Sequence, residues 1–180
     1  MTSERAMTET ENVVSALRWQ GLALVMLAVA LVDQTTKAIV RVTLDPGEQT
    51  DLLGRLTVHH VHNPGIAGGD LHGGAIPLAI LAIAAVAWIH AYLARRRGSR
   101  PWLVLGFGLL LGGGIGNLVD RLRLGWVTDF IRQDDRAYNL ADVAIFAGGV
   151  IVLAVLIWSF RDGRRPSASD RADYPTRSGA

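Results

Sequence analysis

The chain has 180 residues, half of them hydrophobic, with 18 Lys and Arg against 16 Asp and Glu for a formal net charge of +2, and no cysteine. So small a charge, carried by arginines clustered beside apolar segments, argues against a nucleic-acid partner, and the absence of thiols excludes disulfides, thiolate catalysis and thiolate metal ligation. Length and composition fit one soluble domain or a small membrane bundle, and the distribution of the apolar residues separates the two.

Residues 1–15 are polar and are expected to be a disordered tail. Residues 17–40 are the first of four stretches of roughly 20 residues whose interiors are almost free of charge, the length that crosses a hydrocarbon core of roughly 30 Å. A charged start followed by apolar residues invites comparison with a signal peptide. This run, however, ends in Asp33 and Lys37 rather than at a small-residue cleavage site, so a retained helix is expected. Asp33 and Lys37 stand four apart and share one helical face. An outer loop over residues 41–74 carries the turn signal Asp45-Pro46-Gly47. Residues 56–61 then alternate apolar side chains with Thr57, His59 and His60, which predicts a short strand and with it a small β-containing region outside the membrane.

The second stretch covers 75–94, and a bare charged turn over 95–100 leads to the third at 101–121. There Gly108, Gly112 and Gly116 recur every four residues and clear one helical face for close packing, with Asn117, Asp120 and Arg121 beyond them. A second outer loop, 122–139, holds Asp129, Asp134 and Asp135. The fourth stretch, 140–160, has Asp142 in its first turn, and 162–180 is a polar tail also expected to be disordered. The expectation is an all-α integral membrane fold of four transmembrane helices within residues 16–161, with a small extracytoplasmic β-containing loop region.

If both termini are cytoplasmic, eleven of the 18 basic residues fall inside, and Trp19, Trp88, Trp102 and Trp158 gather at the inner interface. Arg123, Arg132 and Arg136 run against this rule. With that orientation Asp33, Lys37, Asn63, Asn117, Asp120, Arg121, Asp129, Asn139 and Asp142 all lie at the outer helix ends or in the outer loops. Ionisable groups cost several kcal/mol in a bilayer unless paired or hydrated, so their common depth marks a site. A proton-relaying transporter would need polar groups through the full thickness, whereas the inner halves are apolar apart from His90. His60 and His62 share a strand face as two metal ligands would, but no HExxH spacing accompanies them, and surface histidines are the favoured reading.

Four blocks carry a resemblance that covers the transmembrane portion. They are Asp33-Gln34-Thr35-Thr36-Lys37; Asn63-Pro64-Gly65-Ile66-Ala67; Gly116-Asn117-Leu118-Val119-Asp120-Arg121 with Val127-Thr128-Asp129-Phe130; and Tyr138-Asn139-Leu140-Ala141-Asp142. In this order they resemble the lipoprotein signal peptidases, or signal peptidase II family. The resemblance implies an aspartyl endopeptidase of the bacterial cytoplasmic membrane that cuts diacylglyceryl-modified prolipoproteins before the lipid-bearing cysteine. It implies Asp129 and Asp142 as catalytic, and Asp33, Lys37, Asn63, Gly65, Asn117, Asp120, Arg121 and Asn139 as substrate-binding or supporting. It further implies inhibition by globomycin-type compounds; no metal or other cofactor is expected, and the protein is expected to be monomeric. Gly68 stands where the family usually has an aromatic, and Tyr138 replaces a common Phe.

The chemistry agrees with that assignment. Two close carboxyl groups that share one proton can take a proton from water and polarise an amide carbonyl. The orientation is tested by Ser99→Cys and Asp134→Cys in this cysteine-free chain. In intact cells a membrane-impermeant thiol reagent is expected to label position 134 and spare position 99, and the reverse pattern would invert the topology.

Overall fold

In hydrocarbon every backbone N–H and C=O must find its partner within its own segment, and long apolar runs therefore become helices. A computed structural model describes residues 2–52, 56–64, 75–94, 101–133 and 136–162. In chain order the elements are α1 (Thr2–Thr43), β1 (Gln49–Leu52), β2 (Leu56–Asn63), α2 (Ala75–Ala94), α3 (Pro101–Leu124), β3 (Val127–Gln133), β4 (Arg136–Tyr138) and α4 (Leu140–Asp162). Among the described residues, α1 from Asn12, α3 and α4 to Ser159 are long and apolar enough to cross a membrane.

The N-terminal boundary differs from the sequence reading. The backbone is helical from Thr2, where a disordered tail through residue 15 was expected. Glu, Arg, Ala and Met are good helix formers, and extending an existing helix avoids the cost of nucleation. The connection between α3 and α4 folds into β3 and β4, which extends the β-containing region expected from residues 56–61. Residues 95–100, where a charged turn was expected, Asp134 and Asp135, and residues 163–180 lie outside the described residues, as do Gly65 and Gly68.

α3 is the central helix: half of its most apolar window is buried, against 6% for α1 and 17% for α4. Its glycines explain why. A Cβ on Gly108 would meet Val25 at 2.5 Å, one on Gly112 would meet the Met26 carbonyl oxygen at 2.8 Å, and one on Gly116 would meet Asp33 Oδ2 at 2.5 Å. These three face α1. Gly106 and Gly113 face α4, Gly113 against the Ala141 carbonyl and Gly106 with Val152 at 2.8 Å. All four helices meet in a core of Leu22, Ile89, Leu103, Phe107 and Leu111, flanked by Val152 and Val155. Large apolar residues such as Leu24, Leu31, Phe146 and Leu153 face outward, as lipid contact requires.

The four strands form one antiparallel sheet in the order β1-β2-β3-β4, so it joins the α1–α2 and α3–α4 connections across the β2–β3 pair. Asp45-Pro46-Gly47-Glu48 makes the turn into β1, closed by the Glu48 N–H donating to Asp45 O, with Gly47 at φ 86 as a type II turn demands. Between β2 and β3 the register shifts: Val58 pairs with Ile131 but Val61 with Asp129, leaving His59 and His60 opposite Phe130 alone. That bulge reverses the facing of everything after it in β2. It places Asn63, paired with Val127, on the same face as Asp129.

Gly112→Ala is expected to lower stability by about 1–3 kcal/mol despite a better helix former, because the obstructing atom is a backbone oxygen that cannot swing aside. Gly114→Ala, with nothing within 4 Å of its Cβ, is expected to be neutral or mildly stabilising. Thermal unfolding of both variants in detergent is the check. Equal behaviour would deny the close approach of α1 and α3.

Candidate active site

Residues 34, 37 and 41 recur at helical spacing on one stripe of α1, and their side chains converge on one acceptor of α3. Asp120 accepts from Gln34 Nε2 at 3.0 Å, and Lys37 Nζ lies 3.3 Å and Arg41 Nη1 3.6 Å from its oxygens. It also accepts the backbone N–H of Thr128, at 3.0 Å. Asp33 pairs with Lys37 at 2.8 Å, both fully buried, and its other oxygen accepts the Ala141 N–H at 2.9 Å. Asp33 thus satisfies one of the unpaired donors at the start of α4 and sits at the positive end of its dipole. Asp33 and Lys37 are therefore more than a self-neutralising pair within one helix. Two carboxylates and two cations close a cluster that ties α1, α3, α4 and β3 together.

The third hydrogen of the Lys37 ammonium goes to Asn117 Oδ1 at 2.8 Å. An ammonium only donates, so the Asn117 oxygen must face it and the amide nitrogen must face the other way. There it donates to Asp142 Oδ1, at 2.8 Å. The orientation of Asn117 follows from the charge on Lys37.

Asn139 precedes α4 and Asp142 lies in its first turn. The Asp142 N–H donates to Asn139 Oδ1 at 3.0 Å, and the Asn139 N–H donates back to Asp142 Oδ2 at 3.2 Å, a reciprocal cap of the helix. The remaining amide nitrogen of Asn139 donates to Asp129 Oδ1 at 2.6 Å, and Asn63 Nδ2 donates to Asp129 Oδ2 at 2.9 Å. One residue, Asn139, therefore contacts both candidate catalytic carboxyl groups, Asp129 through its side-chain amide and Asp142 through its backbone N–H, and each oxygen of each carboxyl accepts a donor. Arg121 donates to the Asn117 carbonyl at 3.3 Å.

Asp129 is buried at 1% exposure. Its pKa is raised to about 6, chiefly because burial removes the charged form from water. The Asn63 and Asn139 amides oppose the shift, Asp142 adds to it and Lys37 opposes it.

The histidines are occupied otherwise than a metal site would need. His60 Nδ1 donates to Leu44 O at 2.8 Å and His59 Nε2 donates to Gly47 O at 3.0 Å, since a carbonyl only accepts. His62 stacks on Trp126, ring centroids 4.5 Å apart.

Eight of the expected site residues, Asp33, Lys37, Asn63, Asn117, Asp120, Asp129, Asn139 and Asp142, thus join one hydrogen-bonded assembly, with Arg121 against it. Gly65 is outside the described residues. Sequence reasoning gave no role to Gln34, Arg41 or Thr128. The spacing of Gln34 and Arg41 from Lys37 was the available signal for the first two; for Thr128 there was none, because its contacts depend on how β3 docks.

A family model described as Signal peptidase (SPase) II matches residues 25–158. A lipoprotein signal peptidase of Leifsonia xyli subsp. xyli is 41% identical over 154 residues, 80% of this chain and 70% of that protein. One from Moorella thermoacetica is 38% identical over 157 residues, 81% and 97% of the two chains. Among solved structures, a bacterial membrane enzyme at 24% identity superposes with a TM-score of 0.72 over 82% of this chain and 93% of that one. A second bacterial membrane enzyme, at 26% identity, gives 0.66 over 75% and 91%.

The folded protein holds the Asp129 proton more tightly than an unfolded chain, in which the carboxyl titrates near 3.8. Stability from this source is fully present below that value and is lost as pH rises through about 6. The Asp129→Asn variant does not ionise, so it is expected to gain stability relative to the parent between about pH 4 and about pH 7. Thermal unfolding across that range checks this. A difference independent of pH would mean that the Asp129 proton is not held in this way.

Proposed function

The chain belongs to the signal peptidase II family, and on that premise we propose that Asp129 and Asp142 are the catalytic pair with which it removes signal peptides from prolipoproteins. The observation that carries the assignment is the shared clamp of Asn139, whose backbone N–H and amide nitrogen hold one oxygen of each carboxyl group. Asp120 is the competing carboxylate. Four donors surround it, two of them cationic, which suits a structural anchor between α1, α3 and β3 rather than a partner in proton transfer.

In this reading Asp129 holds the proton of the pair, as its burial favours, and directs it at the scissile carbonyl oxygen. Asp142 takes a proton from the attacking water. The tetrahedral intermediate then collapses with rupture of the C–N bond, and the departing amine receives a proton from the pair. The substrate is a prolipoprotein bearing diacylglycerol on the cysteine that follows the cleaved bond. Its acyl chains stay in the bilayer while the peptide reaches the carboxyl groups.

α2, a 20-residue helix of apolar composition packed in the common core, is the fourth span of this reading. The polar assembly then lies at the extracytoplasmic face of the bacterial cytoplasmic membrane, with both termini inside. The arginine asymmetry supports this orientation. The enzyme acts as a monomer, and globomycin-type inhibitors occupy the same site.

Asp129→Asn and Asp142→Asn preserve size and one accepting oxygen but remove acid and base function. Each is expected to reduce single-turnover cleavage of a diacylglyceryl precursor by on the order of 10² to 10⁴ or more while precursor binding largely survives. A near-normal rate from either folded variant would remove that residue from the pair and bring Asp120 forward.

A further inference from the structure

Asp129 owes its place to its neighbour in the strand. Thr128 is fully buried and is gripped at two points: its N–H donates to Asp120 Oδ2 at 3.0 Å, and its hydroxyl oxygen accepts from Arg41 Nη1 at 2.9 Å. Arg41 comes from the last turn of α1. The same Nη1 lies 3.6 Å from Asp120 Oδ1, so one guanidinium nitrogen spans the carboxylate that holds the Thr128 backbone and the hydroxyl of Thr128 itself. Side chains alternate in a strand, so fixing the Thr128 side chain and N–H fixes the opposite direction taken by Asp129. The other restraints on Asp129 come from Asn63 and Asn139, which hold the carboxyl from its far end. The restraint at its base comes from Arg41 and Asp120.

Building on the dyad reading above, we propose that Arg41 is a positioning residue for catalysis, acting through the Thr128 hydroxyl to aim Asp129 rather than merely neutralising Asp120. Arg41 suits this because a planar guanidinium can serve two acceptors at fixed angles, which a flexible ammonium does less well. Asp120 already has Lys37 as a second cation, so charge balance alone does not account for the Arg41–Thr128 bond.

Thr128→Val separates the two roles. It keeps the shape, the Thr128 N–H and the Arg41–Asp120 contact, and deletes only the acceptor. A misplacement of a catalytic group by about 1 Å can cost on the order of 10²-fold in rate. Arg41→Met is therefore expected to lower kcat by about 10- to 100-fold, with KM for a diacylglyceryl peptide changed by less than about threefold. Thr128→Val is expected to lower kcat in the same manner and Thr128→Ser to restore it. Since both changes break one contact, the double variant should be no slower than Arg41→Met alone. A wild-type kcat for Thr128→Val, a fully additive double variant, or an effect confined to KM would each overturn the proposal. If Arg41→Met does not fold, the Thr128→Val and Thr128→Ser pair decides on its own. These outcomes are distinct from failure of the dyad reading, which shows as activity in Asp129→Asn whatever Arg41 does.

Discussion

A lysine ammonium without exposed surface, set among apolar helices, survives as a cation only if acceptors receive its hydrogens and negative charge lies within contact. Removing such an ion from water costs several kcal/mol even after relaxation. Lys37 meets the requirement with Asp33, Asp120 and Asn117, which come from α1 and α3. Those three then have further obligations. Asp33 binds the first turn of α4, Asp120 binds the start of β3, and Asn117 turns its amide toward Asp142. Removing Asp33 or Asp120 would leave buried positive charge uncompensated, and removing Asn117 would leave an ammonium hydrogen without an acceptor, so the cluster locks the relative placement of three helices and a strand.

That lock determines where the two proposed catalytic carboxyl groups stand. Asp142 is carried by the rigid first turn of α4, whose cap is Asn139, and Asp129 by a strand inserted between the helix ends. Asn139 performs two tasks with one side chain. As helix cap it satisfies an N–H that would otherwise be unpaired, and as an amide donor it touches the other aspartate. The cap of α4 and the contact to Asp129 are thus made by the same side chain.

Close packing at this depth depends on α3. Gly116 leaves room for Asp33, and Gly113 lets the start of α4 approach, so the polar groups can reach one another across helix axes. Bulkier residues on these faces would widen the gap beyond hydrogen-bonding reach. The sheet makes the complementary contribution, because the bulge at His59 and His60 turns Asn63 toward Asp129.

The sequence by itself determined the long apolar segments, because hydrocarbon permits few backbone solutions and their length can be counted. It also showed the polar residues gathered at one depth, and the four motif blocks pointed to the family that the comparisons establish. The glycine repeat of α3 was legible as a packing face for the same reason of simple periodicity. The sheet was not legible beyond β2: Val127, Thr128, Asp129 and Phe130 are all buried, so β3 lacks the alternation that marks a half-exposed strand. Nor were the bulge, the turning of Asn117 by Lys37 or the grip of Arg41 on Thr128. Each depends on the pairing of residues distant in the chain, and the direction in which a side chain donates is fixed only when its partner arrives. Composition and spacing drew the carboxyl groups toward the helix ends; tertiary structure alone decided which donors hold each of them.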